Sequence, residues 1–120
     1  TVNKNLGELF RVEIKSDGSA GALTKITTSQ PLKGPDGLKV IDDKTLWAAQ
    51  GAGDGMDIIT LSGDSAQVRS ISAGLDGVAT FAYYGGSAWV VENQGDHFWD
   101  PANAGAEATK PFRIVEVPVN

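Results

Sequence analysis

The only histidine of the chain, His97, stands in the run Asp96-His97-Phe98-Trp99-Asp100, between two carboxylates and beside two aromatic rings. Histidine as a residue type titrates near neutral pH and is the commonest nitrogen ligand of metals. The run could therefore ligate a metal or shuttle protons, with Phe98 and Trp99 as a lid over a site or a cap on an end sheet; the competing reading of a lone loop histidine is a surface or packing residue. Just before it, Glu92-Asn93 ends an apolar segment and offers oxygen ligands of the kind a hard cation such as Ca²⁺ takes. A polar turn at a strand end is the competing reading of that pair. Two further carboxylates precede glycines, in Gly34-Pro35-Asp36-Gly37-Leu38 and Gly74-Leu75-Asp76-Gly77-Val78. Aspartate can bond its own backbone and glycine accepts positive φ, so both are turn chemistry before they are anything else.

Other chemistries are missing. There is no Gly-x-Ser-x-Gly elbow, His-Glu-x-x-His zinc motif, phosphate-binding Gly-Lys-Ser/Thr loop or cysteine nucleophile. Gly51-Ala52-Gly53-Asp54-Gly55 superficially suggests a dinucleotide loop, but no helical pattern follows it.

The elements that must position these residues are strands. Asp36 and Asp76 lie in two copies of one pattern, each followed by a Trp-bearing apolar segment that ends in Gln-Gly, Leu46 to Gly51 and Trp89 to Gly95. Alternating runs fill the rest: Leu9–Ile14, with Phe10, Val12 and Ile14 on one face, then Leu23–Ile26, Asp57–Leu61, Val68–Ile71 and Arg113–Val117. No stretch shows a helical period. A repeat of about 40 residues carrying four short strands is the grammar of a β-propeller blade. The expected fold is all-β, one unit over 1–120: the end of one blade over 1–26, a complete blade over 27–71 and a last blade lacking its outer strand over 72–120. Trp47 and Trp89 hold equivalent positions and are expected to pack between blades. A ring of four to eight blades at about 45 residues each needs roughly 180 residues or more, so about two and a quarter blades call for another polypeptide chain or a second copy. The final strand would otherwise be an exposed apolar edge. In such a blade the approaches to Asp36 and Asp76, the Gly51–Gly55 turn and the long insertion from Gln94 to Lys110 emerge on one face. Insertions of that length usually carry function.

Composition narrows the partners. Ten basic against 15 acidic side chains give a net charge of −5, which disfavours nucleic acid and anionic membrane surfaces. With no cysteine, disulfides and thiolate metal sites are excluded and the redox compartment is left open. No apolar run approaches the roughly 20 residues of a membrane-spanning helix, and the polar start Thr1-Val2-Asn3-Lys4-Asn5 does not read as a signal peptide.

Gly34-Pro35-Asp36-Gly37-Leu38 followed by Leu46-Trp47-Ala48-Ala49 resembles the metal-dependent six-bladed propellers of the gluconolactonase and regucalcin (senescence marker protein) family, and Asn5 to Val12 is similar to that family's inner blades. The resemblance implies that Asp36 is a metal ligand at the axial channel and the acid/base group, with the remaining ligands supplied by blades that precede Thr1. It implies a divalent metal, Ca²⁺ first and Zn²⁺ second, and a lactone or ester hydrolase acting on a small-molecule ligand; the compartment is left open, with a lean to secreted or periplasmic. The alternative is a non-catalytic propeller that binds a ligand or protein partner on its top face. His97, Trp99, Glu92 and Asn93 are the candidate substrate or lid residues beside Asp36.

Overall fold

A computed structural model describes residues 1–119, apart from the Trp99 side chain. Ten strands and one short helix follow in order: β1 (Val2–Asn3), β2 (Glu8–Ile14), β3 (Ala20–Thr28), β4 (Pro35–Val40), β5 (Thr45–Gln50), β6 (Gly55–Ser62), β7 (Ser65–Ser72), β8 (Val78–Tyr84), β9 (Ser87–Glu92), α1 (Asp96–Trp99) and β10 (Ile114–Pro118). The chain is all-β, as its alternation requires. The turns use side chains to satisfy backbone donors: Asp17 accepts from the Ser19 hydroxyl and amide, and Asp42 from the Lys44 and Thr45 amides at 2.8 and 2.9 Å. Those bonds hold both carboxyls below the usual aspartate range.

Seven strands form one sheet in the order β1-β2-β3-β7-β6-β5-β4, and β10-β9-β8 form a second. All pairings are antiparallel except β3 with β7, which meet in parallel over two residue pairs, Thr27 with Ser65 and Thr28 with Ala66. The larger sheet folds over at that junction and β1 returns close to β4, giving a nearly closed, barrel-like pair of layers. Leu9, Ile26, Leu32, Ala48, Ile59 and Ala66 fill the fold. The other face of β5 and β6 buries Trp47, Ala49, Met56 and Ile58 against Val78, Phe81, Val90 and Val117 of the three-stranded sheet. Strand alternation explains the division: Ala48 and Trp47 are neighbours in sequence and belong to opposite cores.

Three expectations change. Leu9, opposite Ile26, faces the core, so Phe10 and Val12 lie on the outer face of β2, and Ile14 beyond a register shift is 79% exposed. A strand with apolar residues of both parities has no single inner face legible from alternation. Trp47 is buried at 6% exposure, stacking edge-on against Tyr83 at 5.0 Å, whereas Trp89 is 39% exposed on the outer face of β9. The single-turn α1 was hidden because four residues cannot display a helical period.

Candidate functional site

Asp76 is held by its backbone. Its amide donates to Glu92 Oε1 at 2.9 Å, its carbonyl accepts from Gln94 N at 2.9 Å, and the Gly77 carbonyl accepts from Asn93 N at 3.1 Å. Gly77 has φ +66°, and a Cβ there would lie 2.9 Å from Asn93 Oδ1, so the glycine is demanded by conformation and by space together. Behind it, Glu92 is 3% exposed and takes two bonds from the Arg113 guanidinium, at 2.7 and 2.5 Å. That bonding holds the Glu92 carboxyl below its ordinary value.

The insertion is pinned onto this frame. Gln94, a non-glycine residue at φ +51° and 2% exposed, clasps the Thr109 backbone with both ends of its amide, at 2.8 and 2.7 Å. Its carbonyl accepts from His97 N at 3.2 Å. The clasp brings α1 over the approach to β8, so that His97 Nε2 stands 3.1 Å from Asp76 Oδ2 with the imidazole side chain 13% exposed. Asp96 offers its carboxylate beside them, and ligand atoms of the three residues all lie within 4.8 Å of one another. Among the described residues they form the one such group. Asp96 Oδ2 accepts from Asn103 Nδ2 at 3.0 Å, while Asp96 Oδ1 and His97 Nδ1 are buried with no partner among the described residues.

Asp76 and Asp96, with His97 behind them, border an open cleft of about 740 Å³ lined also by Lys33, the turn 51–54, Leu75, Gly77, and Asp100 and Asn103 of the insertion. Of the four loops expected on one face, three converge there, the Asp76 approach, the 51–54 turn and the insertion; the approach to Asp36 does not line the cleft. The lining is strongly acidic, with Asp54, Asp76, Asp96 and Asp100 against Lys33.

Asp36 is placed differently. Its carboxylate meets Lys4 Nζ at 2.8 Å and is 41% exposed, outside the residues that line the cleft. It lies within β4, unlike Asp76, which precedes β8, and just ahead of it Gly51 N donates to Gly34 O at 2.9 Å. Gly37 is required by packing, since a Cβ there would stand 2.8 Å from Thr80 Oγ1 and 3.0 Å from Ala79 O. Glu92 spends its oxygens on Arg113 and the Asp76 amide, and Asn93 Oδ1 accepts from Gly95 N at 3.0 Å, which is the turn reading of that pair. The lid role considered for Trp99 lies outside the described residues; Phe98 is 84% exposed.

One polar cluster carried no signal in the sequence. Asp57, 1% exposed within the larger sheet, accepts from Gln50 Nε2 at 2.7 Å and from Ser70 Oγ at 2.6 Å, and Ser70 in turn accepts from Gln30 at 3.0 Å. Asp57 reads as one polar residue in an otherwise ordinary strand, and only the three-dimensional pairing shows that it ties β5, β6 and β7 to the segment after β3.

No family profile, curated protein or solved structure matches this chain.

Proposed function

We propose that this chain is a sector of a β-propeller whose loop face carries a divalent-cation site of a lactone- or ester-hydrolysing enzyme, with Asp96 and His97 as ligands and Asp76 orienting His97, in place of Asp36. The observation that carries the reading is the pair of buried, unpartnered donors, His97 Nδ1 and Asp96 Oδ1, beside an acidic cleft. Buried polar atoms without protein partners are costly, and a water or an ion satisfies them. The propeller reading is supported by the sequence repeat and by antiparallel meanders packed face to face.

Donor chemistry favours Zn²⁺ over Ca²⁺. Calcium takes oxygen ligands, whereas imidazole with carboxylates suits zinc. The ammonium of Lys4 against Asp36 is the opposite of what a cation site requires. With the proton on Nε2 and donated to Asp76 Oδ2, the imidazole would present its Nδ1 lone pair toward a metal, and Asp76 would act as the carboxylate that orients a histidine ligand. A cation held there would polarise a substrate carbonyl and acidify a water. Asp54 and Asp100, on the cleft wall, would accept hydrogen bonds from the substrate.

The same Lys4–Asp36 pair favours a second reading, a non-catalytic face that binds a ligand, because it neutralises the carboxylate that the resemblance makes catalytic. Calorimetric titration of Zn²⁺ and Ca²⁺, with a lactone and ester hydrolysis assay alongside, separates the two. Zn²⁺ affinity should fall at least tenfold in His97→Gln and Asp96→Asn and hold in Asp36→Asn. Zinc binding without turnover of any lactone or ester would leave only the binding module. Equal affinities in wild type and His97→Gln would remove the site.

A further inference from the structure

A second cavity, of about 390 Å³, shares Asp76 with the acidic cleft and is walled besides by Glu92, Gln94, Thr109, Lys110 and Arg113. Most of the acceptors on this wall are spent within the chain. Glu92 Oε2 accepts from Arg113 Nε, and Glu92 Oε1 from Arg113 Nη2 and the Asp76 amide. The Gln94 amide gives both its ends to the Thr109 backbone, and Asp76 Oδ2 faces His97 Nε2.

Donors are what remain. A guanidinium carries five N–H groups in a planar fork, enough to meet a second oxyanion when one edge is already taken. Glu92 occupies the Nε–Nη2 edge of Arg113, which leaves the Nη1–Nη2 edge open, on a side chain that is 53% exposed. Lys110 Nζ and Thr109 Oγ1 have no partner among the described residues either. These donors stand on a prepared frame: the carboxylate that grips Arg113 is 3% exposed, and the Gln94 clasp pins the backbone from which Thr109 and Lys110 project. Donors held in place before a ligand arrives cost less to order when it binds. Formal charge on the wall balances, Arg113 against Glu92 and Lys110 against Asp76, so selection rests on direction. A cation would meet Asp76 Oδ1 alone among the carboxylate oxygens left unspent, beside two fixed positive groups; an oxyanion would meet an open guanidinium edge, an ammonium and a hydroxyl.

We propose that this cavity is an oxyanion site, taking a carboxylate or phosphate group on the open edge of Arg113, with Lys110 and Thr109 as further donors. It stands whether or not a metal binds at His97. The group arrives either as a free anion or on a larger ligand that continues past Asp76 into the acidic cleft.

The test uses the complete chain, freed of metal on a chelating resin, with amide NMR spectra followed during titration by inorganic phosphate and by acetate at constant ionic strength. Saturable shifts are expected at Thr109, Lys110 and Arg113, with a dissociation constant on the order of 1 mM. Lys110→Gln should weaken binding at least threefold. Arg113→Lys keeps the charge opposite Glu92 but loses the second edge, and should weaken it at least tenfold, because an ammonium does not replace a fork. Lys39→Gln, on the exposed side of β4, should change nothing. Unchanged spectra away from the cavity check that each variant is folded; Thr109→Val with Lys110→Gln carries the test if Arg113→Lys is not. Phenyl phosphate and benzoate then separate the two sources. Binding at least tenfold tighter than that of the free anions supports a group borne on a larger ligand, and equal binding supports a free anion. No saturable shift with any of the four probes up to about 20 mM, or shifts that Lys110→Gln and Arg113→Lys leave unaltered, overturns the proposal.

Discussion

At the scale of single residues, the two tryptophans test burial directly. Trp47→Ala removes a ring enclosed by Phe81 and Tyr83 and should cost about 3–5 kcal/mol. Trp89→Ala removes a ring already 39% exposed and should cost under about 1 kcal/mol in the isolated chain. Denaturant titration of both variants reads the difference, and equal losses would contradict the placement of Trp89. Sequence could identify both as strand residues at matched positions, yet not their unequal burial, because that depends on which layers are present to cover them. Similarly, Asp36 and Asp76 read as equivalent turns. The partners that separate them, Lys4 and His97, come from 32 and 21 residues away, distances over which local pattern carries no information. His97 with Asp96 was legible as a donor-rich loop; that Asp76 would complete it was foreshadowed only by the expectation that the loops share a face.

Elements show how the insertion is controlled. Glu92 ends β9 and fixes both Arg113, just before β10, and the Asp76 amide. Its carboxyl is held below the ordinary value chiefly by the Arg113 hydrogen bond. A depressed carboxylate contributes stability above its unfolded pKa and loses it as pH falls through the folded value. Wild type should therefore exceed Glu92→Gln in stability at about pH 7, and the gap should narrow as pH falls below the ordinary glutamate value of about 4.3. A gap of constant size across that range would show that the Glu92 charge contributes nothing. The Gln94 clasp makes a second prediction. Gln94→Ala deletes both bonds to Thr109, and should cost about 1–3 kcal/mol while speeding protease cleavage within residues 96–108. Unchanged cleavage would mean that the loop is held by other contacts. Strands were legible in sequence because they carry alternation and several are bounded by Asp-Gly, Gly-Asp or Gly-Gly turns; the clasp was not, since a glutamine at positive φ has no local signature.

For the whole molecule, the all-β class and the order of strands followed from periodicity, and the converging loops followed from alternating strand direction. The parallel β3/β7 contact did not, because nothing local specifies a pairing between Thr27 and Ser65. That contact has a dynamic consequence. β6 and β7 pair along their full lengths from Gly55–Ser72 to Ser62–Ser65, whereas β1–β3 join the rest of the sheet by two residue pairs and a few flanking bonds, such as Thr27 N to Asp64 O and Val68 N to Ser29 Oγ, both 2.9 Å. The first three strands thus form a flap on a short seam, and cooperative opening there exposes less surface than melting β5–β7. Amide hydrogen exchange should resolve two units, with β2 and β3 protected by a smaller opening free energy than β5 and β6. Mild denaturant would then release the flap, carrying Lys4 away from Asp36, before the Asp76–His97 end of the molecule loosens.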